Sequence, residues 1–212
     1  MSILNSTKIP LNVSYKLAQG IALLIAFTLF LLSYILGRDG LFLYFNANLG
    51  SFADTFFSYF TYLADGWILI PYLILVVGIF KKDVPFIIIN FITSTLLTQI
   101  PKQLIWPSIN RPIASGIDIS KIHVVTGVDV HSFNSFPSGH TATAFSLFLI
   151  TVYLFPNKKV LLAGGLYAII CGYSRIYLGQ HFPLDIAGGI IAALLSVALS
   201  IQIRKKLFKK PF

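Results

Sequence analysis

The chain has 212 residues and a formal net charge of +9, with 56% hydrophobic and only 11% charged residues. Soluble domains usually carry about 25% charged residues, so this composition excludes an ordinary soluble enzyme, a disordered protein and a coiled coil. A polytopic membrane protein remains, because six spans of about 20 residues fit within this length. The sequence contains a single cysteine, Cys171, which excludes an intramolecular disulfide and is expected to be an inert packing residue.

Six apolar stretches are predicted to cross the membrane as helices. They cover residues 17–36, 66–80, 84–100, 138–156, 160–177 and 183–204. No small-residue cleavage site follows the first stretch, which indicates an uncleaved helix rather than a signal peptide. Neither a repeat nor a linker divides the sequence, so residues 1–212 are interpreted as one domain.

Two segments between the apolar stretches have a different character. The aromatic-rich segment 39–65 is expected to lie as a helix at the outer membrane interface. The segment 101–136 is a long polar connection, within which the β-like residues 121–130 favour a small hairpin or lid. The predicted fold class is therefore all-α: a polytopic membrane protein with six transmembrane helices, an outer-side interfacial helix and a polar outer loop.

The distribution of basic residues predicts the orientation. With six spans, both termini share one side, and most of the basic residues lie there: Lys8, Lys16, Lys81, Lys82, Lys158, Lys159, Arg204, Lys205, Lys206, Lys209 and Lys210. The positive-inside rule places that side in the cytoplasm, which predicts a multi-pass protein of the inner (plasma) membrane. The positive charge is thereby explained by topology and anionic lipid, so no nucleic-acid partner is expected.

Three polar clusters are predicted to meet at the outer ends of the helices. They are Lys102 with Arg111-Pro112, then Pro137-Ser138-Gly139-His140, and finally Ser174-Arg175 followed by His181 and Asp185. Because all three adjoin outer helix ends, they are expected at one membrane depth, although up to about 80 residues separate them in sequence. His123 and His131 belong to none of these clusters and are expected to be ordinary loop residues.

The residue types in these clusters suit a phosphate site. Ser138 and Gly139 fall at a helix start, where free backbone N–H groups and the helix dipole favour an anion. Three cations, Lys102, Arg111 and Arg175, match phosphate oxygens, the two arginines in a bidentate manner.

The same clusters contain groups that exchange protons. His140 and His181 titrate near neutral pH. Asp185 follows His181 by four residues and is placed to turn back onto the imidazole, which would fix its tautomer and make the other ring nitrogen nucleophilic.

The second and third clusters, with their internal spacing, resemble two signature motifs of the type 2 phosphatidic acid phosphatase superfamily. The first motif of that family most often has six residues between its lysine and its Arg-Pro, whereas Gln103 to Asn110 make eight between Lys102 and Arg111. The resemblance covers residues 102–185, and the six-helix plan extends it to nearly the whole chain.

The resemblance implies a role for each residue. His181 would attack phosphorus and form a phosphohistidine, Asp185 would orient His181, and His140 would protonate the leaving oxygen and then activate water. Five groups would hold the phosphoryl oxygens: Lys102, Arg111, Ser138, Gly139 and Arg175. Three others would support the site without binding substrate: Pro112, Pro137 and Ser174. The resemblance implies neither a metal nor a cofactor, since the cations supply the positive charge.

The leading interpretation is an integral membrane lipid phosphatase that acts at the outer leaflet. Undecaprenyl pyrophosphate is the first choice of substrate, followed by phosphatidylglycerol phosphate and phosphatidate, with a lipid A phosphatase of the same superfamily as the alternative. The expected partners are a lipid phosphate and the bilayer, with no obligate protein partner. There are three competing interpretations: a haloperoxidase-like vanadate site, a transporter and a non-catalytic lipid-phosphate-binding protein. The vanadate site conflicts with the apolar composition, and a transporter would need ionisable residues in the middle of its spans.

Overall fold

The computed structural model describes residues 11–79 and 83–207, and within these ranges the regular structure is helical, with no β-strand. The helices, in chain order, are α1 (Leu11–Ile35), α2 (Arg38–Phe45), α3 (Ser51–Phe60), α4 (Leu69–Ile79), α5 (Val84–Ile100), α6 (Gly139–Leu154), α7 (Lys158–Tyr177) and α8 (Pro183–Leu207). The predicted all-α class is confirmed.

In the part of the chain that the structure describes, fewer than six helices have the length and composition of a membrane span. Four helical segments are long and apolar enough to cross a bilayer: Val13–Ile35, Val84–Ile105, Lys158–Tyr177 and Pro183–Lys206. Two consecutive segments, Ser51–Ala64 and Gly66–Ile79, meet at a bend of 60° and together can supply a fifth. Helix α6 has 16 residues, about 24 Å, which is shorter than the hydrocarbon core of about 30 Å. Six full spans are thus not confirmed.

Helix α6 forms the centre of the bundle and contacts α1, α5, α7 and α8. Although α6 is short for a membrane span, its residues are buried on all sides, including Phe145, Phe148 and Leu149. The peripheral helices instead expose large apolar side chains, such as Leu24 on α1 and Leu162 on α7, 66% and 63% exposed. Apolar surface of this extent is stable in lipid rather than in water, so the fold is that of a membrane protein.

Both described ends of the chain lie at the same end of the bundle. Tyr15 near the start of α1 packs edge-on against Tyr153 at the end of α6, with ring centroids 5.5 Å apart. Arg204 near the end of α8 forms an ion pair with Asp83, which precedes α5. Of the basic residues that predict this side to be cytoplasmic, Lys8, Lys81, Lys82, Lys209 and Lys210 lie outside the described residues.

The interfacial segment 39–65 contains two helices rather than one. Between α2 and α3, the side-chain amide of Asn46 donates to the carbonyl oxygens of His123, Ile176 and Tyr177 at 3.1, 3.0 and 2.8 Å. Gly50 then adopts a φ of +89°, a left-handed conformation that glycine tolerates best. This long-range anchor and the turn that follows it interrupt the helix.

The predicted hairpin at residues 121–130 is wrong. Its backbone groups bond elsewhere: the His123 N–H donates to the Asn46 side-chain oxygen at 2.7 Å, and the Val128 N–H closes a tight turn onto the Val125 carbonyl oxygen at 3.2 Å. Val125 and Val128 of this segment pack instead beside the end of α7, in a small cluster with Tyr177.

Candidate active site

A polar cavity of about 390 Å³ opens at the end of the bundle opposite Tyr153, a volume within the range of small-ligand pockets. Its titratable and motif-derived wall residues are Asp65, Lys102, Arg111, His131, Gly139, His140, Arg175 and His181. These residues come from the end of α5, the loop before α6, the first turn of α6, the end of α7 and the connection to α8. The three clusters that the sequence separates therefore meet at one end of the bundle.

His181 is held by Asp185 in the connection between α7 and α8. The His181 Nδ1 and Asp185 Oδ2 atoms are 3.3 Å apart, and the His181 side chain is 1% exposed. The same carboxylate oxygen accepts hydrogen bonds from the Phe182 N–H at 2.9 Å and from the Ser135 hydroxyl at 2.5 Å. Because an ionised carboxylate can only accept, this contact favours the tautomer in which Nδ1 carries the proton and Nε2 keeps its lone pair. In this arrangement Asp185 fixes the orientation of the ring, and the Nε2 atom is left without this contact.

The surroundings of His181 favour its neutral form. Burial lowers the pKa of this imidazole well below its ordinary value of 6.5, and the nearby cations Arg111, Lys102 and Arg175 lower the pKa further. A neutral imidazole retains the lone pair that a nucleophile needs.

Lys102 reaches the cavity despite the longer spacing of its motif. Helix α5 continues into a π-helical turn at Pro101–Ile105, in which the Trp106 N–H donates to the Pro101 carbonyl oxygen at 2.7 Å. A π turn accommodates an extra residue within a helix, and a turn at residues 107–108 takes up the remainder. Lys102 is consequently 8% exposed and lines the same cavity as Arg111.

Arg111 is fixed on two sides and is 7% exposed. Its Nε donates to the Phe133 carbonyl oxygen at 2.8 Å, and its Nη1 donates to the backbone and side-chain oxygens of Gln180 at 3.2 and 3.1 Å. Burial lowers the pKa of Arg111 below its ordinary value, while the negative charge of Asp185 opposes this shift. The contacts engage Nε and Nη1 and leave Nη2 as the donor available to an anion.

Arg175 retains an unused donor. Its Nη1 donates to the Thr61 hydroxyl at 2.6 Å, whereas its buried Nε has no hydrogen-bond partner among the described residues. A buried, unpaired guanidinium N–H is costly. Because Arg175 lines the cavity, an anion there would satisfy it.

The start of α6 presents the Gly139 backbone to the cavity beside the His140 side chain. Ser138 is the N-cap of the helix: its hydroxyl accepts from the Thr141 N–H at 3.4 Å and from the Thr141 hydroxyl at 2.9 Å. Ser138 is fully buried and is not in the cavity wall. Gly139 does line the cavity, and a Cβ at this position would meet open space, so an anion can approach the helix N-terminus closely.

The three residues expected to support the site lie behind it. Pro112 is buried and begins a short turn directly after Arg111. Pro137 is buried beside α8, where it comes close to Gly188. The Ser174 hydroxyl donates to the Cys171 carbonyl oxygen within α7 at 2.7 Å and does not reach the cavity.

Several residues at the site were not predicted, and four of them lie beside the motif residues. Ser135 binds Asp185, Gln180 binds Arg111, Thr61 binds Arg175, and His131 lines the cavity itself. Each is a lone polar residue without a motif, and its partner is distant in sequence. The sequence does give a weak indication for two of them. Gln180 directly precedes the motif residue His181, and Ser135 lies two residues before the motif residue Pro137.

A second cavity of about 650 Å³, here called the vestibule, shares His131, His140 and Arg175 with the first. Its outer wall is the polar face of α3, with Asp54 and Ser58. In the described ranges, no cluster of three or more His, Cys, Asp or Glu side chains suits a metal ion. Among the described residues that line the first cavity, Asp65 is the one carboxylate, and the other titratable groups are cations and imidazoles, which suit an anion.

The chain is similar to known membrane phosphatases. Undecaprenyl-diphosphatase BcrC of Bacillus subtilis is 34% identical over 61 residues, which cover 29% of this chain and only 31% of that relative. Phosphatidylglycerophosphatase B of Bacillus subtilis is 31% identical over 150 residues, covering 64% of this chain and 67% of that relative. A transmembrane PAP2 type phosphatidylglycerolphosphate phosphatase from Bacillus subtilis shares the fold, with a TM-score of 0.65 at 23% identity over 90% of this chain and 98% of that one.

The family match covers the residues that build the cavity. The model of the PAP2 superfamily matches residues 67–209, a range that contains Lys102, Arg111, His140, Arg175 and His181. Because this range exceeds half of the sequence, the chain belongs to the PAP2 superfamily.

Proposed function

We propose that this protein hydrolyses a lipid phosphate ester or anhydride through a phosphohistidine intermediate. The observation that carries the proposal is the buried His181–Asp185 pair beside three cations and a helix N-terminus. In the first step, His181 Nε2 forms a bond to phosphorus as the bond to the leaving oxygen breaks, and His140 donates a proton to that oxygen. In the second step, His140 takes a proton from water, whose oxygen displaces His181 and releases inorganic phosphate.

The cations stabilise both steps. Charge develops on the phosphoryl oxygens in each transition state, and donors fixed in advance lower its energy most. Arg111 and Arg175 are held by Gln180 and Thr61 before any substrate binds. Lys102 and the Gly139 N–H complete the set, while Ser138 contributes by capping the helix that presents Gly139.

A lipid substrate is supported by where the cavity lies. The cavity opens at one end of a bundle whose outer surface is apolar, and in a bilayer this end of the spanning helices would adjoin the lipid headgroups. Undecaprenyl diphosphate is the first substrate to test, with phosphatidylglycerol phosphate, phosphatidate and lipid A as the others. The names of the two relatives, undecaprenyl-diphosphatase and phosphatidylglycerophosphatase, state different substrates. Sequence similarity to them therefore does not rank these lipids.

Phosphate release by the purified full-length protein in detergent tests the proposal. We expect release from at least one of these lipids, in EDTA as in its absence, and loss of release in His181→Ala. His123→Ala is the matched control, because His123 pairs with Asp54 outside the polar cavity. A quenched reaction with labelled lipid should yield acid-labile label on the wild-type protein and none on His181→Ala. Label at another residue, or wild-type activity in His181→Ala, would contradict the mechanism.

We further propose that the cavity faces the periplasmic or extracellular side of the inner membrane, with both termini in the cytoplasm. Cys171 is buried, so a cysteine introduced at the exposed Lys121 would be the accessible thiol. A membrane-impermeant maleimide added to intact cells should label Lys121→Cys and spare a cysteine at Lys158. The opposite pattern would reverse the orientation.

A further inference from the structure

A row of hydrogen-bonding side chains descends from the phosphate-binding end of the cavity along α5. Ser94, Thr95, Thr98 and Gln99, here called the hydroxyl wall, line the polar cavity one to two turns before Lys102. Ser94 and Thr98 are 6% and 3% exposed. The Thr98 hydroxyl bonds back to the Ser94 and Thr95 carbonyl oxygens. Within residues 11–79 and 83–207, by contrast, the Ser94, Thr95 and Gln99 side chains make no hydrogen bond of their own, and each has capacity for a ligand.

The opposite side of this part of the cavity contains a carboxylate. Asp65 lies at the bend between Ser51–Ala64 and Gly66–Ile79 and lines the cavity with Ala64, Gly66 and Leu69. Its Oδ1 accepts from the Gly66 N–H at 2.8 Å. A carboxylate accepts hydrogen bonds from hydroxyl groups and repels a second phosphate. The residues that α5 contributes to the cavity before Lys102 are uncharged, and the Asp65 charge acts on Arg175, so this section offers a second phosphate no cation of its own.

Beyond the hydroxyl wall the surface becomes apolar. Gly66, Leu69 and Phe91 line both the cavity and an adjoining groove of about 380 Å³ between α4 and α5. The remaining groove residues are all apolar: Trp67, Ile70, Leu73, Ile87 and Ile88. Three chemical environments therefore follow one another: cations, neutral hydrogen-bonding groups, then apolar side chains.

We propose that the hydroxyl wall is the subsite for the part of the lipid next to the scissile phosphate. It binds a neutral, hydroxyl-bearing group, such as glycerol or a sugar, in preference to a second phosphate. The inference rests on the proposed function and refines its substrate: a hydroxylated lipid monophosphate ranks above undecaprenyl diphosphate, which the sequence alone placed first. The alkyl chains then leave through the groove between α4 and α5.

A matched pair of single-chain substrates tests this subsite. One is an acylglycerol phosphate with a free hydroxyl beside the phosphate, and the other is its deoxy analogue, identical except for that hydroxyl. With the wild-type protein we expect kcat/KM to be about tenfold higher for the hydroxylated lipid, which corresponds to one or two neutral hydrogen bonds. In Ser94→Ala/Thr95→Val the ratio should fall toward one.

Thr93→Val is the control, since Thr93 is on the same helix but outside the cavity wall. Its hydroxyl bonds to the Ile89 and Asn90 carbonyl oxygens, and the tenfold ratio should persist. A glycosyl phosphate lipid compared with the glycerol lipid then identifies the preferred hydroxylated group from the higher kcat/KM.

Three results would overturn a claim, and they are distinguishable. Equal rates for the matched pair, with hydrolysis still dependent on His181, would refute the subsite and leave the phosphatase proposal intact. A higher kcat/KM for undecaprenyl diphosphate than for either hydroxylated lipid would refute the preference against a second phosphate. No hydrolysis of any lipid would instead contradict the proposed function itself.

Discussion

The Ser135 hydroxyl donates to Asp185 Oδ2 at 2.5 Å, the same oxygen that faces His181 Nδ1 at 3.3 Å. Ser135 thus orients the Asp185 carboxylate, which in turn orients His181, the proposed nucleophile. Hydrogen bonds to charged groups contribute about 1.5–3 kcal/mol, so Ser135→Ala should lower kcat roughly tenfold or more. Because Ser135 is a positioning residue that does not line the cavity, KM for the lipid should change little.

Ser120→Ala is the control for the first prediction. Its hydroxyl also donates to a carboxylate, Asp118 Oδ1 at 2.8 Å, but at an exposed position. This variant should keep its wild-type kcat in the same detergent assay. If Ser135→Ala raised KM and left kcat alone, Ser135 would act on substrate binding and the positioning role would be wrong.

The environment of His181 predicts the pH dependence of hydrolysis. Burial and the neighbouring cations lower its pKa well below 6.5, so the imidazole stays neutral as the pH falls through that value. The acid limb of kcat/KM due to His181 should therefore lie below pH 6.5, with a plateau at neutral pH. Measuring kcat/KM for the lipid between pH 4.5 and 8, in a detergent with an uncharged headgroup, checks this position of the acid limb. An acid limb centred above pH 6.5 would contradict the prediction.

The same shift has a consequence for stability. The unfolded chain binds a proton at His181 near pH 6.5, whereas the folded chain does not, so the contribution of the neutral His181 is present above that pH and is lost as the pH falls. Thermal unfolding in detergent should show a lower Tm at pH 5.5 than at pH 7.5. In His181→Gln the decrease should be smaller, because this titration is removed. An equal decrease would assign the effect to other groups.

Lys102 provides a test of the unusual motif spacing. The π turn brings its side chain into the cavity with Arg111, and we expect Lys102→Gln to reduce kcat/KM about 100-fold, since a charge that stabilises the transition state is removed. Lys121→Gln is the matched control, because Lys121 is exposed in the connection between α5 and α6, and its rate should stay within about twofold of the wild type. Similar rates for both variants would exclude Lys102 as a phosphate ligand.

The site residues that could be predicted from the sequence are those that lie close to one another along the chain. His181 and Asp185 are four residues apart, and Ser138, Gly139 and His140 are consecutive, so a motif and a helix boundary were enough to place them. The helix ends then bring Lys102 and Arg175 to the same depth. The hydroxyl wall on α5 could not be recognised from the sequence, because Ser94 and Thr95 lie inside an apolar stretch and resemble ordinary residues of a membrane span.

The supporting contacts could not be predicted because they join distant segments. Ser135 and Asp185 are 50 residues apart, Gln180 and Arg111 are 69 apart, and Thr61 and Arg175 are 114 apart. No local pattern encodes such pairs. The break between α2 and α3 has the same origin, since it depends on Asn46 binding carbonyl groups 77 to 131 residues away.

Gly189 permits the close approach of α8 to the start of α6. A Cβ at this position would lie 2.5 Å from the Ser138 carbonyl oxygen and 2.9 Å from the Thr141 Cβ. The first of these is backbone and cannot rotate away, so α6 would have to shift. Gly189→Ala should lower Tm by several degrees, as an overpacked contact of about 1–3 kcal/mol does. It should also lower kcat/KM, because the same turn presents Gly139 to the phosphate.

Gly20→Ala separates this effect from the general consequence of adding a methyl group to a helix. Gly20 lies on α1, and a Cβ there would have nothing within 4 Å. Since alanine favours a helix over glycine by about 0.8–1 kcal/mol, Gly20→Ala should keep or slightly raise Tm and keep full activity. If Gly189→Ala behaved in the same way, α6 would tolerate displacement at Ser138, and the phosphate-binding turn would not depend on this helix contact.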